Sequence, residues 1–290
     1  MEWDFELQGV IKELKRRGCK KVLVQLPEGL KIYARKIMDE LGSHGIECVL
    51  SGDPCYGACD LRTLEGYVTV HFGHAPFFEN EHIYVPVRWK GTPTFPELDI
   101  KNTSVGILTT VQYEPAAEML GTHLEKKGNR VIMGGTVLGC DWRNADKVKS
   151  CETVVFVGTG MFHPKGIAYY LKRNIIAVNP VTGEAKEVNW HDWEKESVIR
   201  RAKAEECEVF GVVVSTKPGQ MKLRFAERIK KDLTALGKKA YIIVMDEITP
   251  EKLDYLSFDC FVITACPRIV LDDWKNYKKP VILPDEIPKE

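Results

Sequence analysis

The sequence has 290 residues, of which 44% are hydrophobic and 28% charged, and 41 basic residues balance 41 acidic ones. This composition is typical of a globular protein with two or three modest lobes, and a net charge of zero excludes nucleic-acid or membrane binding through bulk positive charge. We expect a cytoplasmic protein without signal peptide or membrane segment, because the first residues lack a basic and an apolar region and no apolar run reaches the roughly 20 residues of a membrane span.

The first third of the chain predicts a small α/β unit. Residues 21–26 form an apolar run typical of a buried parallel strand, and Pro27-Glu28-Gly29 ends it. One helix is predicted over 30–41, and further strands at 46–51, 67–72 and 83–87. The stretch 90–102, rich in proline and threonine, predicts a linker.

The same order of elements recurs twice. The second unit predicts a helix between Pro115 and Gly128, and strands at 104–108, 130–133, 153–157 and 175–178. The third predicts a helix over 221–236, and strands at 209–214, 241–244, 260–264 and 281–283. The charged stretch 184–206 predicts a connecting helix, and the last residues predict a frayed polar tail.

A strand–helix–strand–strand–strand order repeated three times favours the α/β class with parallel sheets and right-handed crossovers. We therefore predict three pseudo-repeated small parallel-sheet α/β domains, over residues 1–102, 103–206 and 207–290, around a central cofactor site.

Nine cysteines, an odd number in a chain expected in the cytosol, make a disulfide framework unfavourable. Five of them lie in or beside strand-like or helical runs and are interpreted as small buried apolar side chains: Cys19, Cys48, Cys151, Cys207 and Cys260.

The remaining cysteines lie in three turns that follow predicted strands. Cys55 and Cys59 occupy the first turn, Cys140 the second and Cys266 the third. Ligands gather beyond the carboxyl ends of parallel strands, so three thiols from units packed around a common axis can converge. Three thiolates suit an iron–sulfur cubane with one open iron. The alternative is a set of scattered buried thiols.

Neither of two common local cysteine signatures is present. Zinc fingers need closely spaced pairs, and only Cys55 and Cys59 are close. The C-x-x-x-C-x-x-C signature of radical S-adenosylmethionine enzymes would need a cysteine at position 62, which is Arg62.

Further candidates for binding a cofactor lie in two other turns. Gly158, Thr159, Gly160 and Gln220 offer backbone donors at strand ends, able to hold a carboxylate or a ribose. Four side chains have both a functional and an ordinary interpretation. His163 is either a cavity histidine or a hydrogen-bonded turn histidine, and Lys217 is either a carboxylate partner or a solvated charge. Glu28 and Arg268 are similar cases.

Five motifs together resemble the archaeal diphthamide-biosynthesis family, the 2-(3-amino-3-carboxypropyl)histidine synthases, over essentially the whole chain. They are Gln25-Leu26-Pro27-Glu28-Gly29-Leu30, Tyr56-Gly57-Ala58-Cys59-Asp60, Leu138-Gly139-Cys140 with Ala145, Ser215-Thr216-Lys217-Pro218-Gly219-Gln220 and Ala265-Cys266-Pro267-Arg268-Ile269.

The resemblance implies a homodimer of three-domain subunits, each able to hold a 4Fe–4S cluster on one cysteine per domain. By position these are Cys59, Cys140 and Cys266, and the family's Tyr-Gly-Ala-Cys pattern selects Cys59 over Cys55. The resemblance also implies the reaction. One electron from the reduced cluster, itself reduced by an electron donor, breaks the bond from the sulfur of S-adenosylmethionine to the γ-carbon. The 3-amino-3-carboxypropyl fragment then attacks carbon 2 of a histidine imidazole in elongation factor 2.

Two other functions fit the same cysteine pattern. A quinolinate-synthase-like enzyme also carries a cluster on three cysteines of pseudo-symmetric domains, and its open iron acts as a Lewis acid. A non-catalytic iron–sulfur accessory subunit would cycle its redox state without consuming S-adenosylmethionine.

Overall fold

The computed structural model describes residues 2–78 and 81–288. Its contacts divide the chain into two compact units, Met1–Asn189 and Trp190–Glu290. The strands are β1 (Trp3–Asp4), β2 (Lys21–Gln25), β3 (Glu47–Leu50), β4 (Val68–Phe72), β5 (Ile83–Val85), β6 (Arg88–Trp89), β7 (Ser104–Thr109), β8 (Arg130–Thr136), β9 (Thr153–Val157), β10 (Ile175–Asn179), β11 (Glu184–Val188), β12 (Val209–Ser215), β13 (Lys239–Met245), β14 (Cys260–Ile263) and β15 (Val281–Ile282). The α-helices are α1 (Leu7–Arg16), α2 (Ala34–Ser43), α3 (Glu114–Lys126), α4 (Phe162–Leu171), α5 (His191–Glu205), α6 (Leu223–Ala235), α7 (Pro250–Asp254) and α8 (Arg268–Asp273).

Three main sheets share one strand order. They run β3-β2-β4-β5, β8-β7-β9-β10-β11 and β13-β12-β14-β15, so the first strand of each sheet lies between the second and the third. All neighbouring strands in these sheets are parallel, except that β11 is antiparallel to β10. The α/β class with repeated parallel sheets is therefore confirmed, whereas the boundaries at 102/103 and 206/207 stay predictions.

Burial explains why the first strands are central. β2, β7 and β12 are buried along nearly their whole length, as expected for apolar runs covered on both faces. Their neighbours β3, β8 and β13 lie at a sheet edge and are largely exposed or half-buried. The most apolar strand of each unit therefore occupies an interior position in its sheet, as its composition predicts.

One amphipathic helix, α1, lies outside the predicted elements. Its buried residues Val10, Ile11 and Leu14 recur with helical spacing and pack into the core of the first sheet. Next to it, β1 pairs antiparallel with β6 in a short two-stranded ribbon. The periodicity that identifies α1 is present in the sequence, so the helix was predictable.

The charged stretch after β10 contains a strand before its helix, so a helix over the whole of 184–206 is wrong. Asn179 Oδ1 accepts a hydrogen bond from Val181 N at 2.9 Å, and Gly183, with φ +72°, donates to the carbonyl of Asn179 at 2.9 Å. This turn reverses the chain, and β11 then pairs back onto β10. The helix begins only at His191 and belongs to the second compact unit.

The predicted linker has no helix or strand between β6 and β7, but it is not loose. Leu98 and Ile100 are buried in the core of the second sheet. Asn129 Nδ2 donates to the carbonyl of Ile100 at 3.1 Å, which fixes the backbone just before β7. The segment is therefore part of the core that it leads into.

The predicted frayed tail is also wrong for residues 283–286, whereas residues 289–290 lie outside the described part of the chain. Glu286 is buried and forms a bidentate ion pair with Arg200 of α5. The Arg200 Nε atom lies 2.9 Å from Glu286 Oε2, and Arg200 Nη2 lies 2.6 Å from Glu286 Oε1. Each side chain is only 1% exposed. Glu286 also accepts a hydrogen bond from Leu283 N at 3.0 Å, so one carboxylate ties α5 to the end of the third sheet.

Among the residues that the structure describes, no helix has the length and hydropathy needed to cross a bilayer.

Replacing Glu286 with glutamine leaves the buried Arg200 charge without its counter-charge. We expect Glu286→Gln to lower the free energy of unfolding by about 3–5 kcal/mol, because a buried cation that loses its partner cannot recover solvation. The measurement is chemical denaturation followed by circular dichroism. Glu247→Gln is the matched control, since its pair with Lys252 is solvent-accessible at 3.4 Å and contributes about 0–1 kcal/mol. Equal losses in both variants would contradict the assignment.

Candidate functional site

The turn that carries Cys55 and Cys59 is buried and tied to the end of β2. Both thiols are buried, and a short 3-10 turn over Ala58–Asp60 follows Gly57. Gln25, the last residue of β2, donates from Nε2 to the carbonyl of Asp60 at 2.7 Å. Its Oε1 accepts from Arg62 N at 3.2 Å. One buried amide thus holds the backbone on the carboxyl side of Cys59.

The Asp60 carboxylate is fully buried beside the same turn. Arg62 Nε lies 3.5 Å from Asp60 Oδ1, so the buried anion has a nearby cation. The carbonyl of Arg62 accepts a hydrogen bond from the Thr69 hydroxyl at 2.7 Å, which connects the turn to β4. Two neighbouring strands therefore position the segment that presents Cys59.

The turn that carries Cys140 packs against α4 through two glycines. A Cβ built on Gly139 would lie 2.6 Å from the ring of Phe162, and one built on Gly166 would lie 2.5 Å from the indole nitrogen of Trp142. Trp142 is buried, so the close approach to Gly166 fixes the residues on the carboxyl side of Cys140. The half-buried Cys140 thiol is held next to the start of α4.

A charged pair also flanks Cys140. Arg143 donates to Asp141 in two hydrogen bonds, and the pKa of the Asp141 carboxyl is lowered, mainly by these bonds. Asp141 therefore stays ionised at neutral pH, and its carbonyl accepts from Leu138 N at 3.1 Å. These contacts close the turn around Cys140.

The turn that carries Cys266 is part of the second compact unit and follows β14. Thr264 fixes its start, because the Thr264 hydroxyl donates to the carbonyl of Val213 at 2.9 Å. Cys266 is half-buried, and Arg268 two residues later is buried in an ion pair with Asp272 at 2.7 Å. The Arg268 guanidinium also lies over the ring of Trp193, 5.9 Å from its centroid.

The predicted residues Gly158, Thr159 and Gly160 lie in the loop between β9 and α4, and His163 is the second residue of α4, all in the same compact unit as Cys140. The Tyr113 hydroxyl is 3.1 Å from the Thr159 hydroxyl, and Gly160 has φ +73°. The His163 ring stacks on Phe156 with an interplanar angle of 12°. The loop is thus shaped by contacts on both sides.

Lys217 and Gln220 lie together in the loop between β12 and α6, in the same unit as Cys266. Lys217 is only 4% exposed, so its interpretation as a solvated charge is wrong. Its backbone N–H donates to the Ser215 hydroxyl at 3.2 Å, and its carbonyl accepts from Gln220 N at 2.9 Å. The assignment of these residues and of the glycine loop to cofactor binding stays a prediction.

Three polar residues near Cys59 were not among the predicted site residues. Gln25 and His71 are register partners at the ends of β2 and β4, and His74 follows one turn later. The pKa of His71 is lowered to about 3 and that of His74 to about 4, mainly by burial, so both imidazoles are neutral at neutral pH. A polar residue that ends an apolar strand was the available signal for Gln25 and His71.

The donor set fits an iron–sulfur cluster. Thiolates are the ligands that such clusters prefer, and each of the three predicted turns carries a cysteine. Cys59, Cys140 and Cys266 each lie beyond the end of a strand. A buried hydrogen bond from Gln25 holds the turn of Cys59, and close packing at Gly139 holds the turn of Cys140; both residues belong to the motifs.

Comparisons with known proteins show the family of this chain. The family model described as "Putative diphthamide synthesis protein" matches residues 26–288. The 2-(3-amino-3-carboxypropyl)histidine synthase of Pyrococcus horikoshii is 35% identical, over 96% of this chain and 87% of that protein. The enzyme of the same name from Methanocaldococcus jannaschii is 32% identical, over 98% and 88%.

A solved structure is similar along nearly the whole chain. The crystal structure of Dph2 from Pyrococcus horikoshii with 4Fe-4S cluster superposes with a TM-score of 0.86 and 30% identity, covering 98% of this chain and 89% of that one. The resemblance drawn from the motifs is confirmed, and a quinolinate-synthase-like function is not retained. The chain belongs to the diphthamide synthesis family, whose relatives compared above are enzymes named 2-(3-amino-3-carboxypropyl)histidine synthase.

Proposed function

We propose that this protein transfers the 3-amino-3-carboxypropyl group from S-adenosylmethionine to a histidine of elongation factor 2, the first step of diphthamide biosynthesis. The observation that carries the proposal is the set of three cysteines in motif turns beyond parallel strands, in a chain that matches the family from residue 26 to residue 288. The match to Dph2 with its 4Fe-4S cluster supports the same cofactor here.

Cys59, Cys140 and Cys266 are the proposed cluster ligands, each acting as a thiolate. The guanidinium of Arg268 provides a positive charge two residues from Cys266 and favours the thiolate form of that cysteine. Gln25 and Trp142 act at a distance from the metal, because they hold the backbone on the carboxyl side of Cys59 and Cys140.

The chemistry that a reduced cluster supplies when bound is one-electron cleavage of the bond from the sulfonium sulfur to the γ-carbon, which yields methylthioadenosine and the transferred fragment. The chain's own contribution is to hold S-adenosylmethionine so that the γ-carbon, rather than the 5′-carbon, is presented for cleavage. Positioning therefore decides which bond breaks.

Residues for holding S-adenosylmethionine are proposed in two loops. Thr159 and Gly160 lie in a turn that Tyr113 contacts through the Thr159 hydroxyl, and their backbone N–H groups suit a carboxylate or ribose hydroxyls. The N–H of Gly158, by contrast, already donates to the carbonyl of Val178 at 3.0 Å, so Gly158 shapes the turn rather than donating to the ligand. Buried Lys217 suits the carboxylate of the methionine moiety, since a desolvated ammonium binds an anion more strongly than an exposed one. His163 and Gln220 complete the proposed set.

The proposed partners follow from this reaction. Elongation factor 2 is the protein substrate, an external donor supplies the electron, and the subunit forms a homodimer. A modified translation factor also favours a cytoplasmic location. None of these roles requires direct contact with nucleic acid or a membrane.

An anaerobic assay tests the reaction. The reduced, cluster-loaded protein, incubated with S-adenosylmethionine and archaeal elongation factor 2, is expected to release methylthioadenosine and to add a 3-amino-3-carboxypropyl group to one histidine. Chromatography and peptide mass spectrometry measure the two products. Release of 5′-deoxyadenosine instead would refute the choice of bond, and redox cycling without consumption of S-adenosylmethionine would indicate an accessory subunit.

Cysteine variants test the ligand assignment. After anaerobic reconstitution, Cys59→Ala, Cys140→Ala and Cys266→Ala are each expected to hold clearly less iron than the about four atoms per chain of the unchanged protein, because a cubane loses a ligand. Iron analysis and visible absorbance provide the measurement. Cys55→Ala and Cys48→Ala are controls expected to keep their iron. Full iron content in all three ligand variants would contradict the assignment.

Gly166→Ala tests whether packing on α4 positions Cys140. The added methyl group meets the buried indole of Trp142, and overpacking of this kind costs about 1–3 kcal/mol. We expect faster loss of iron to a chelator, with partial recovery in Gly166→Ala/Trp142→Phe, where the smaller ring leaves room. Gly9→Ala is the control, because a Cβ at Gly9 meets no atom within 4 Å. Unchanged iron retention in Gly166→Ala would show that this contact does not position Cys140.

A further inference from the structure

A second group of potential metal ligands lies in the first compact unit, apart from the three proposed cluster cysteines. The thiol of Cys55 and ring nitrogens of His71 and His74 all lie within 4.8 Å of one another. Cys55 is 3% exposed and His71 is fully buried, whereas His74 is half-buried. The group thus combines a buried thiol and imidazole with one partly accessible ligand.

The orientation of the Gln25 amide fixes the proton on His71. Because Gln25 Nε2 donates to the carbonyl of Asp60 and Oε1 accepts from Arg62 N, the amide oxygen is the atom that faces His71 Nδ1, at 2.9 Å. An oxygen can only accept, so Nδ1 carries the proton of the neutral ring. The lone pair therefore sits on His71 Nε2. Metal-binding histidines are oriented in this way by a partner on the other ring nitrogen.

His71 Nε2 faces His74 Nδ1 at 2.9 Å. The turn between the two histidines is fixed by Gly73, which has φ +86° and no room for a Cβ, since that atom would lie 3.0 Å from Pro27 and 3.1 Å from Leu30. Gly73 N also donates to the carbonyl of Val85 at 2.8 Å. The two imidazoles are thus held together by the backbone and not only by their mutual hydrogen bond.

The tautomer of His74 decides whether its Nδ1 can bind a metal. Neutral imidazole, not imidazolium, is the ligand. A neutral ring at His74 can also carry its proton on Nε2, which frees Nδ1 for a metal.

We propose that Cys55 Sγ, His71 Nε2 and His74 Nδ1 bind one divalent metal ion of the zinc class, separate from the iron–sulfur cluster. One thiolate and two imidazoles form a mixed sulfur–nitrogen set that suits Zn²⁺, and three protein ligands leave one position for water. In tetrahedral coordination the two nitrogens stand about 3.3 Å apart, slightly more than their hydrogen-bonded separation. On binding, Cys55 loses its thiol proton to water and the His74 proton moves from Nδ1 to Nε2.

The position in the fold supports a metal site. His74 follows β4, the third strand of the first sheet, and Cys266 follows β14, the third strand of the third sheet. The corresponding turns thus carry a metal-ligating residue type in both sheets.

Cobalt titration of a cluster-free chain tests the proposal. The full-length Cys59→Ala/Cys140→Ala/Cys266→Ala variant lacks the cluster thiols, so the result does not depend on the proposed function. Under argon we expect it to bind one Co²⁺, with the ligand-field bands of tetrahedral coordination and a near-ultraviolet band from a single thiolate. Zn²⁺ should displace the cobalt. Absence of stoichiometric cobalt binding would overturn the proposal and leave the three residues as a hydrogen-bonded network.

Single changes in that background assign the ligands. Cys55→Ser is expected to remove the thiolate band, and His74→Gln to weaken cobalt binding at least tenfold. Gln25→Met, which removes the partner of His71, should weaken it about 10–100-fold. Cys48→Ser, in the neighbouring strand β3, is the control and should not change the titration. Unchanged binding in Cys55→Ser or His74→Gln would overturn the assignment.

A second measurement covers the case in which the multiple variant does not fold. The unchanged chain and its Cys55→Ser variant are purified from zinc-supplemented medium and analysed by elemental mass spectrometry, with circular dichroism to confirm folding. About one zinc per chain in the first and little in the second is expected. Equal zinc content in the two proteins would reject the site.

Discussion

The alignment of strand ends is the constraint on which the rest of this structure depends. In a parallel sheet every strand points the same way, so the loops on the carboxyl side collect at one edge while helices and loops cover the faces. Cys59, Cys140 and Cys266 follow strands in this way, and so do the glycine loop after β9 and the lysine loop after β12. Cys59 and Cys140 follow the second strand of their sheets, β3 and β8, whereas Cys266 follows the third strand, β14, so the turns share the carboxyl side of a sheet but not the same strand.

Each cysteine turn is nevertheless fixed by different chemistry. A buried amide holds the first, close packing of an indole on a glycine holds the second, and a threonine hydroxyl bound to a strand carbonyl begins the third. These solutions need unrelated residues, Gln25, Gly166 and Thr264. Similar topology with unrelated local contacts explains why the three repeats share element order but little sequence.

Much of the fold could be predicted from the sequence, because periodicity and turn residues are local signals. The buried runs that became β2, β7 and β12 are examples. β11 was missed because its charged residues resemble a solvated helix, and only the reversal at Gly183 brings them onto β10. Glu286 was taken for a solvated tail residue, since its partner Arg200 is 86 positions away.

In the candidate site, too, contacts between residues distant in sequence could not be predicted. Cysteines in motif turns could be identified along the chain, whereas the network joining Gln25, His71 and His74 depends on strand register, which places residues 46 positions apart side by side. The sequence also does not show that Lys217 is buried, because the residue type does not indicate whether other parts of the chain cover its loop. Long-range pairing, not residue type, separates what was predictable from what was not.

The pairing of Arg200 with Glu286 has a consequence for how the polypeptide matures on the ribosome. α5 emerges early, well before the residue that neutralises its buried guanidinium. Until Glu286 has left the exit tunnel, the Arg200 guanidinium has to remain hydrated. α5 therefore cannot pack in its native position before then. Completion of the second compact unit is thereby deferred until the turn that contains Glu286 has been translated.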